Sequence, residues 1–458
     1  MREILLLNFR CFDIQKIEFK QGINLLIGDN ASGKTTILKA CKYVLSSFFA
    51  GFSDENTKWI CPNVDDFSIK EKDGIILPEK PIKISFSCYA DMYENIEMMF
   101  DNSGLLNNSE LFYNPAYIRN NILQKNSKKN SRALVSGFQG YRNYCKLLQS
   151  MYFNIDESHP SQRYALPLFA SFTTEDIHSS RKLNTKIFKR YAQKPTFGYY
   201  ECLEGNGLYP YWLSRLLVLK EAGKNIEEIE IVNNAITKAL YENCVIIREI
   251  DIRPIQGKVY YIFADGREIE ADLLSDGYKR LVNIVTDLAF RCALLNRGIY
   301  GMDACEKTHG TVLVDEIDLH LHPSLQNKVL NALHQTFPNL QFIVTTHAPM
   351  VMTSIENNDE NIVYKLRYSE SDGYKVEPTQ TYGMDASSIT KNVLNLIPRD
   401  SNVNSLLDEL FNEIDSEKFI EAREKLGILR KRFGSSLPEL SKAETMLDFL
   451  NSNDEENH

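Results

Sequence analysis

Apolar and polar positions alternate along the start of the chain, so residues 3–9, 15–20 and 22–27 read as three strands. The spacing then turns helical, and a helix is expected over 34–50. Further strands are expected over 81–90 (PIKISFSCYA) and 165–173 (ALPLFASFT), separated by a polar, Asn-rich stretch over 101–149 that reads as helical and loop-rich. Residues 244–254, 258–264 and 268–270 form an antiparallel set, followed by a helix over 278–296. The runs 311–315 (TVLVD) and 341–345 (QFIVT) are continuously apolar, as parallel strands buried on both faces must be, with a helix over 323–336 between them. A hairpin is expected over 362–368 and 374–377, turning at Asp372-Gly373.

The last hundred residues change character. Leu406, Leu407, Leu410, Phe411 and Ile414 recur at helical spacing. Ser416 is placed to cap a second helix carrying Phe419, Ala422, Leu426, Leu429 and Phe433, and Gly434 to end it. Pro438 opens a third helix. The polar, acidic tail over 451–458 reads as disordered.

Between the third strand and the first helix lies the most informative stretch: Gly28-Asp29-Asn30-Ala31-Ser32-Gly33-Lys34-Thr35-Thr36. It is a glycine, four residues, then Gly-Lys-Thr, in a strand–loop–helix context. That is the pattern of a phosphate-binding P-loop, whose N–H groups and helix N-terminus cradle a polyphosphate. Lys34 would reach the β- and γ-phosphates and the Thr35 hydroxyl would bind Mg²⁺, so ATP and Mg²⁺ are the expected ligands. Asp315 and Glu316 end the later apolar strand. Asp315 is expected to hold Mg²⁺ and Glu316 to activate the attacking water, since phosphoryl transfer needs positioning and charge neutralisation.

Bulk properties fit this reading. The chain has 458 residues, 43% apolar and 25% charged, enough for one large core or two domains. Nine scattered cysteines without a Cys-x-x-Cys pair point to a reducing cytoplasm rather than a disulfide or zinc framework. No apolar run is long enough to span a bilayer, and Met1-Arg2-Glu3 leads straight into a strand without a signal peptide. The net charge of −9 excludes a binder of nucleic acid that is basic throughout, but leaves room for local basic patches.

Two further motifs decide the subclass. Leu274-Ser275-Asp276-Gly277-Tyr278-Lys279-Arg280 precedes a helix and resembles the signature motif of ATP-binding-cassette ATPases. Thr345-Thr346-His347-Ala348-Pro349 follows the next strand, where His347 resembles the switch histidine that senses the γ-phosphate. Taken with Asp315-Glu316-Ile317-Asp318-Leu319-His320-Leu321-His322-Pro323, the chain resembles the cassette ATPases of the RecF, SMC and overcoming-lysogeny group, most of all the PtuA-type anti-phage ATPases of Septu and retron modules.

The resemblance implies an α/β cassette-ATPase head: a mixed sheet with an antiparallel β subdomain, over residues 1–395, with an insert at about 100–240. A helical partner-docking segment would follow over 396–450. It further implies that Ser275 and Gly277 bind the nucleotide of an opposite subunit, making a homodimer or larger homo-oligomer, and that a separate HNH-type (PtuB-like) nuclease is the partner. Glu316, His347 and Lys34 would be the catalytic residues. His320 and His322 fit a loop at the dimer interface or ordinary solvated histidines. The Gln of the family's Q-loop is not placed, with Gln139, Gln149 and Gln162 as candidates. No long heptad arm and no C-terminal carboxylate cluster for a built-in nuclease is evident.

Three other readings remain. One is a RecF-like DNA-repair ATPase gripping nucleic acid through two acid-free runs, 111–155 (Arg119, Lys125, Lys128, Lys129, Arg132, Arg142, Lys146) and 177–200 (Arg181, Lys182, Lys186, Lys189, Arg190, Lys194). The others are a transporter ATPase, against which the large insert counts, and a slow ATP sensor, against which Glu316 and His347 count.

Overall fold

The computed structural model describes residues 1–68, 71–72, 75–76, 81–89, 121–126, 135–153, 165–174, 190, 193–205, 208–223, 226–396, 399–434 and 437–455. Much of the expected Asn-rich stretch and of both basic runs, together with Gln162 and residues 456–458 of the tail, lies outside them. The chain forms two compact units, Met1–Ile389 and Thr390–His458, so the boundary expected at 395/396 falls inside the second unit.

In the first unit, alternation builds β1 (Glu3–Phe9) and β2 (Phe12–Glu18). β3 (Ile23–Gly28) is buried at every position and hands over through the P-loop to α1 (Lys34–Ser47). The helix expected to reach residue 50 tightens into a 3₁₀ turn over Phe48–Ala50, where Phe48, Phe49 and Tyr199 pack ring to ring. There follow β4 (Glu71–Lys72), β5 (Ile75–Ile76), β6 (Ile82–Ser87), β7 (Asn121–Lys125), β8 (Val135–Ser136), α2 (Gln139–Phe153) and β9 (Leu168–Phe172). Next come α3 (Tyr209–Ala222), α4 (Ile226–Ile236), β10 (Ile247–Arg253), β11 (Lys258–Phe263) and β12 (Glu268–Glu270). The long α5 (Asp276–Tyr300) leads to β13 (Gly310–Val314), α6 (Val329–Thr336), β14 (Leu340–Thr345) and the hairpin β15 (Ile362–Ser369) and β16 (Gly373–Pro378).

The central sheet has the order β16-β15-β3-β14-β13-β9, with β15, β3, β14, β13 and β9 parallel and β16 antiparallel at the edge. An antiparallel sheet β2-β1-β6-β7-β8 lies beside it, and β10-β11-β12 form a third. α1 packs against β3, β13 and β14 on one side and touches β6 on the other. This is the expected α/β head with an antiparallel β subdomain. The insert is not wholly helical, because β9 completes the central sheet.

Two local expectations fail for identifiable reasons. The helix expected over 323–336 is two helices, Pro323–Gln326 and α6, because the Lys328 N–H turns back to the Leu325 carbonyl in a tighter bond. Ser416 ends one helix rather than capping the next: its N–H bonds the Asn412 carbonyl, and Glu417 takes a left-handed φ of 59° before Phe419.

Among the described residues, the second unit has a π-helical turn ending at Val393 and three α-helices, α7 (Ser401–Asp415), α8 (Phe419–Phe433) and α9 (Pro438–Glu455). They bury Leu407, Leu410, Leu426, Leu429, Leu440 and Leu447 together. α9 runs through Glu455, so the disordered tail expected from residue 451 is helical over its first five residues.

Asp66 ties the antiparallel sheet to the P-loop helix. Its fully buried carboxylate accepts from Arg10 Nε at 3.0 Å, Tyr43 OH at 2.6 Å and the Asn63 N–H at 2.8 Å, and pairs with Lys39 Nζ at 2.8 Å. Burial pushes its pKa up, but the Asn63 N–H, Lys39 and Tyr43 outweigh burial and hold it below the ordinary carboxylate value. A carboxyl with a depressed folded pKa contributes stability above its unfolded value of about 3.9, and loses it as pH falls through the folded value. Asp66→Ala is expected to lower the unfolding free energy by about 3 kcal/mol at pH 7, from orphaned buried groups. Urea unfolding should show the difference from wild type shrinking only below about pH 4.

Candidate functional site

Crowding shapes the P-loop. A Cβ on Gly28, at φ 144°, would sit 2.2 Å from the Leu366 carbonyl of β15. One on Gly33, at φ 101°, would sit 2.7 Å from the Phe12 ring. Only glycine fits either place. Gly33 is also the N-cap of α1 and supplies no side chain, so the first N–H groups of that helix stay available to an anion. The Lys34 ammonium folds back onto the loop, donating to the carbonyls of Gly28 at 2.7 Å and Asp29 at 2.8 Å. Burial lowers its pKa, and the nearby Asp29, Asp315 and Glu316 oppose that. The Ser32 hydroxyl is buried without a hydrogen-bond partner.

The facing wall comes from the ends of β13 and β14. The Asp315 N–H donates to Phe172 O of β9 at 2.9 Å, and Arg280, wholly buried in α5, donates to the Asp315 carbonyl at 2.7 Å. The Thr345 hydroxyl donates to Asp315 Oδ1 at 2.5 Å and accepts from the Glu316 N–H at 2.8 Å. Thr345 thereby holds both acidic residues, with Glu316 at a left-handed φ of 50°. The next residue, Thr346, donates to Asp318 Oδ1 at 2.5 Å and accepts from the Ala348 N–H at 3.0 Å, fixing the turn that carries His347. Thr35 Oγ1 stands 3.4 Å from Asp315 Oδ2. One cavity of about 250 Å³ is lined by Cys11, residues 30–36, Asp315, Glu316 and His347.

These residues suit a nucleoside triphosphate with Mg²⁺. A hydroxyl and a carboxylate side by side are hard oxygen donors of the kind Mg²⁺ takes. The open helix N-terminus, the lysine and the orphaned Ser32 hydroxyl suit phosphates.

Ser275 and Gly277 do not line this cavity. Ser275 is the exposed N-cap of α5 and makes no side-chain cap bond. Gly277 is buried, and a Cβ there would lie 2.3 Å from the His320 carbonyl. His322 acts locally. Its ring accepts from the Ser324 N–H at 3.3 Å and bonds the Ser324 hydroxyl at 2.8 Å, capping Pro323–Gln326. Among the described residues no group of three or more His, Cys, Asp or Glu could hold a metal ion. Gln139 bonds Asn143 and Gln149 bonds both backbone groups of Ser53, so neither serves the P-loop. Several described members of the basic runs are also engaged internally: Lys125 with Pro62 O, Arg142 with Ala50 O and Lys194 with Glu55. Sequence reading missed Thr345 and Cys11. The Thr-Thr before His347 was a visible signal for the first; nothing marked the second.

A family model described as an AAA domain matches residues 3–249. The chain belongs to the AAA domain family. A second model, an AAA domain described as a putative AbiEii toxin of a type IV toxin–antitoxin system, matches residues 163–353. The chain is 25% identical over 410 residues to the retron Vc95 probable ATPase of Vibrio cholerae serotype O1 biovar El Tor, covering 80% of this chain and 74% of that one. It is 36% identical over 166 residues to the retron Ec83 probable ATPase of Escherichia coli (35% of this chain, 29% of that one). It is 29% identical over 225 residues to the Septu protein PtuA of Bacillus mycoides (47% and 30%). The chain thus spans less than a third of the last two relatives. The kinship with PtuA and retron ATPases agrees with the resemblance read from the motifs. Among solved structures it is similar to the SMC head domain of Thermotoga maritima (13% identity, 83% of this chain and 98% of that one, TM-score 0.37). It is also similar to an Smc head bound to the C-terminal domain of ScpA derived from Pyrococcus furiosus (14%, 83% and 96%, TM-score 0.43). Among the described residues no helix is long and apolar enough to cross a membrane.

If Thr345 clasps Asp315 and Glu316 for hydrolysis, Thr345→Val should lower ATP turnover by about 10–100-fold, the usual cost of losing a group that orients a metal ligand. Steady-state phosphate release with a thermal melt as the fold control checks this; the melting temperature should move little.

Proposed function

We propose that this chain is the ATP-hydrolysing subunit of a bacterial anti-phage defence complex, in which two copies close head to head on nucleotide and so govern a separate HNH-type nuclease subunit. One observation carries the reading. Lys34, Thr35, Asp315, Glu316 and His347 share one cavity, while Ser275 stands exposed outside it at an uncapped helix N-terminus. Such a terminus is suited to a γ-phosphate presented by another copy, and a pairing of this kind would be isologous. The retron and Septu names of the relatives support the defence setting.

In this mechanism Lys34 leaves the Gly28 and Asp29 carbonyls for the β- and γ-phosphates. Thr35 and Asp315 would hold Mg²⁺, which would supply charge neutralisation at the phosphates. Glu316, fixed through its N–H by Thr345, orients the attacking water, and His347 stands by the γ-phosphate. Loss of that phosphate loosens the paired heads, which turns nucleotide state into shape. The second unit is the proposed docking element. Its α8 leaves Ile420 77% and Ile428 64% exposed, which supports a partner-facing role.

Glu316→Gln should keep nucleotide binding, abolish turnover and double the particle mass in ATP and Mg²⁺, read by light scattering during gel filtration. Unchanged turnover would remove Glu316 from the catalytic role. Removing residues 404–458 should abolish co-purification of the nuclease subunit while the head still binds ATP; full recovery of the partner would refute the docking role.

A further inference from the structure

The lining of the P-loop cavity is lopsided. It comes from residues 30–36, from the wall of Asp315, Glu316 and His347, and, outside both, from Cys11. In the central sheet that wall follows β13 and β14, on one side of β3, while β15 and β16 lie on the other side. A γ-phosphate directed at Glu316 and His347 leaves the sugar and base to run the opposite way. They pass Gly33 and Cys11 toward the β15–β16 hairpin.

That hairpin carries an aromatic shelf. Leu366 of β15 pairs with Gly28, so Tyr368 lies two residues beyond the start of the P-loop. Side chains alternate along a strand, so Tyr364, Leu366 and Tyr368 share a face. The Tyr364 hydroxyl donates to the Glu18 carbonyl of β2 at 2.6 Å, which makes this the face toward the antiparallel sheet. Across the hairpin Tyr368 pairs with Tyr374, with ring centroids 4.8 Å apart. Tyr374 meets the Phe12 ring edge-on at 5.7 Å. Phe12 in turn packs against Gly33, where an added Cβ would sit 2.7 Å from its ring and 3.3 Å from Cys11 Sγ. The three rings thus run outward from the P-loop, Phe12 buried and Tyr368 58% exposed.

The shelf presents ring surface rather than charge, because the charged side chains around it pair with one another. Arg367 pairs with Glu377 and Lys375 with Asp372, both at 3.1 Å. A flat nucleobase stacks on such rings. From β13 to β15 is three strand spacings, about 14 Å, a length that a nucleoside triphosphate spans. We propose that Tyr368 and Tyr374 are the base-positioning residues of the nucleotide site and hold the base by stacking. This rests on the reading of the P-loop cavity as a nucleoside triphosphate site. Stacking reads ring area rather than the donors and acceptors of the base edge, so adenine and guanine nucleotides are held alike.

The test is calorimetric titration of the full chain, wild type and Tyr368→Ala, with the β,γ-imido analogue of ATP and with inorganic tripolyphosphate, each with Mg²⁺. Tyr368→Ala should weaken the ATP analogue by about tenfold, the scale of a lost base–aromatic stack, and leave tripolyphosphate unchanged. The matching GTP analogue should lose affinity in parallel. Tyr368→Phe, which keeps the ring, should bind as wild type does. In steady-state turnover Tyr368→Ala should raise KM for ATP and leave kcat unchanged. Thermal melts confirm folding, and Tyr374→Ala is read if Tyr368→Ala fails to fold. Equal affinity of wild type and the folded alanine variant for the ATP analogue, or equal weakening of both ligands, overturns the shelf and leaves the P-loop reading standing. A wild type that binds neither ligand overturns the P-loop reading, and the shelf falls with it.

Discussion

Everything at the P-loop depends on the register of three adjacent parallel strands. β14 lies between β3 and β13, pairing Val344 with Leu25 on one side and with Val314 on the other. That alignment brings Gly28, Asp315 and Thr345 to one edge of the sheet. All three strands are buried almost throughout, so the register is held by side chains packed on both faces. A slip of one residue would turn each strand's side chains to the opposite face and carry the Thr345 hydroxyl away from Asp315.

Once the register is set, short polar bonds finish the site. The Thr345 hydroxyl joins the two acidic residues, and Arg280 reaches from α5 to the Asp315 backbone. Because Arg280 is buried and begins the turn after Gly277, the motif at Ser275 is mechanically connected to the tip of β13. The same helix start is pressed against His320, where Gly277 leaves no room for a side chain. The turn at Ser275 and the acidic end of β13 thus share a rigid connection.

Much of this was legible in the sequence because it is local. Gly28 to Thr36 is contiguous, and apolar runs ending in Asp315-Glu316 and in Thr345-Thr346-His347 mark parallel strands by pattern alone. What the sequence hid is non-local or depends on competing bonds. Ser416 has the right chemistry for an N-cap but is consumed by the preceding helix. His322 looks like a free histidine and is a cap. Gln149 looks available and is bound to Ser53 nearly a hundred residues away. The aromatic shelf could not be foreseen, since Phe12 and Tyr374 are far apart in the sequence. The family kinship extends the local reading without changing it.

The central claim is that one chain supplies only half of each working site. The direct measurement is ATP turnover by Lys34→Ala and Ser275→Arg, each alone and then mixed in equal amounts. The account predicts that each alone is near background and that mixing restores about a quarter of wild-type turnover, since half of randomly paired dimers carry one intact site of two. Wild-type turnover by Ser275→Arg alone would contradict it, because the P-loop cavity would then work without a second copy.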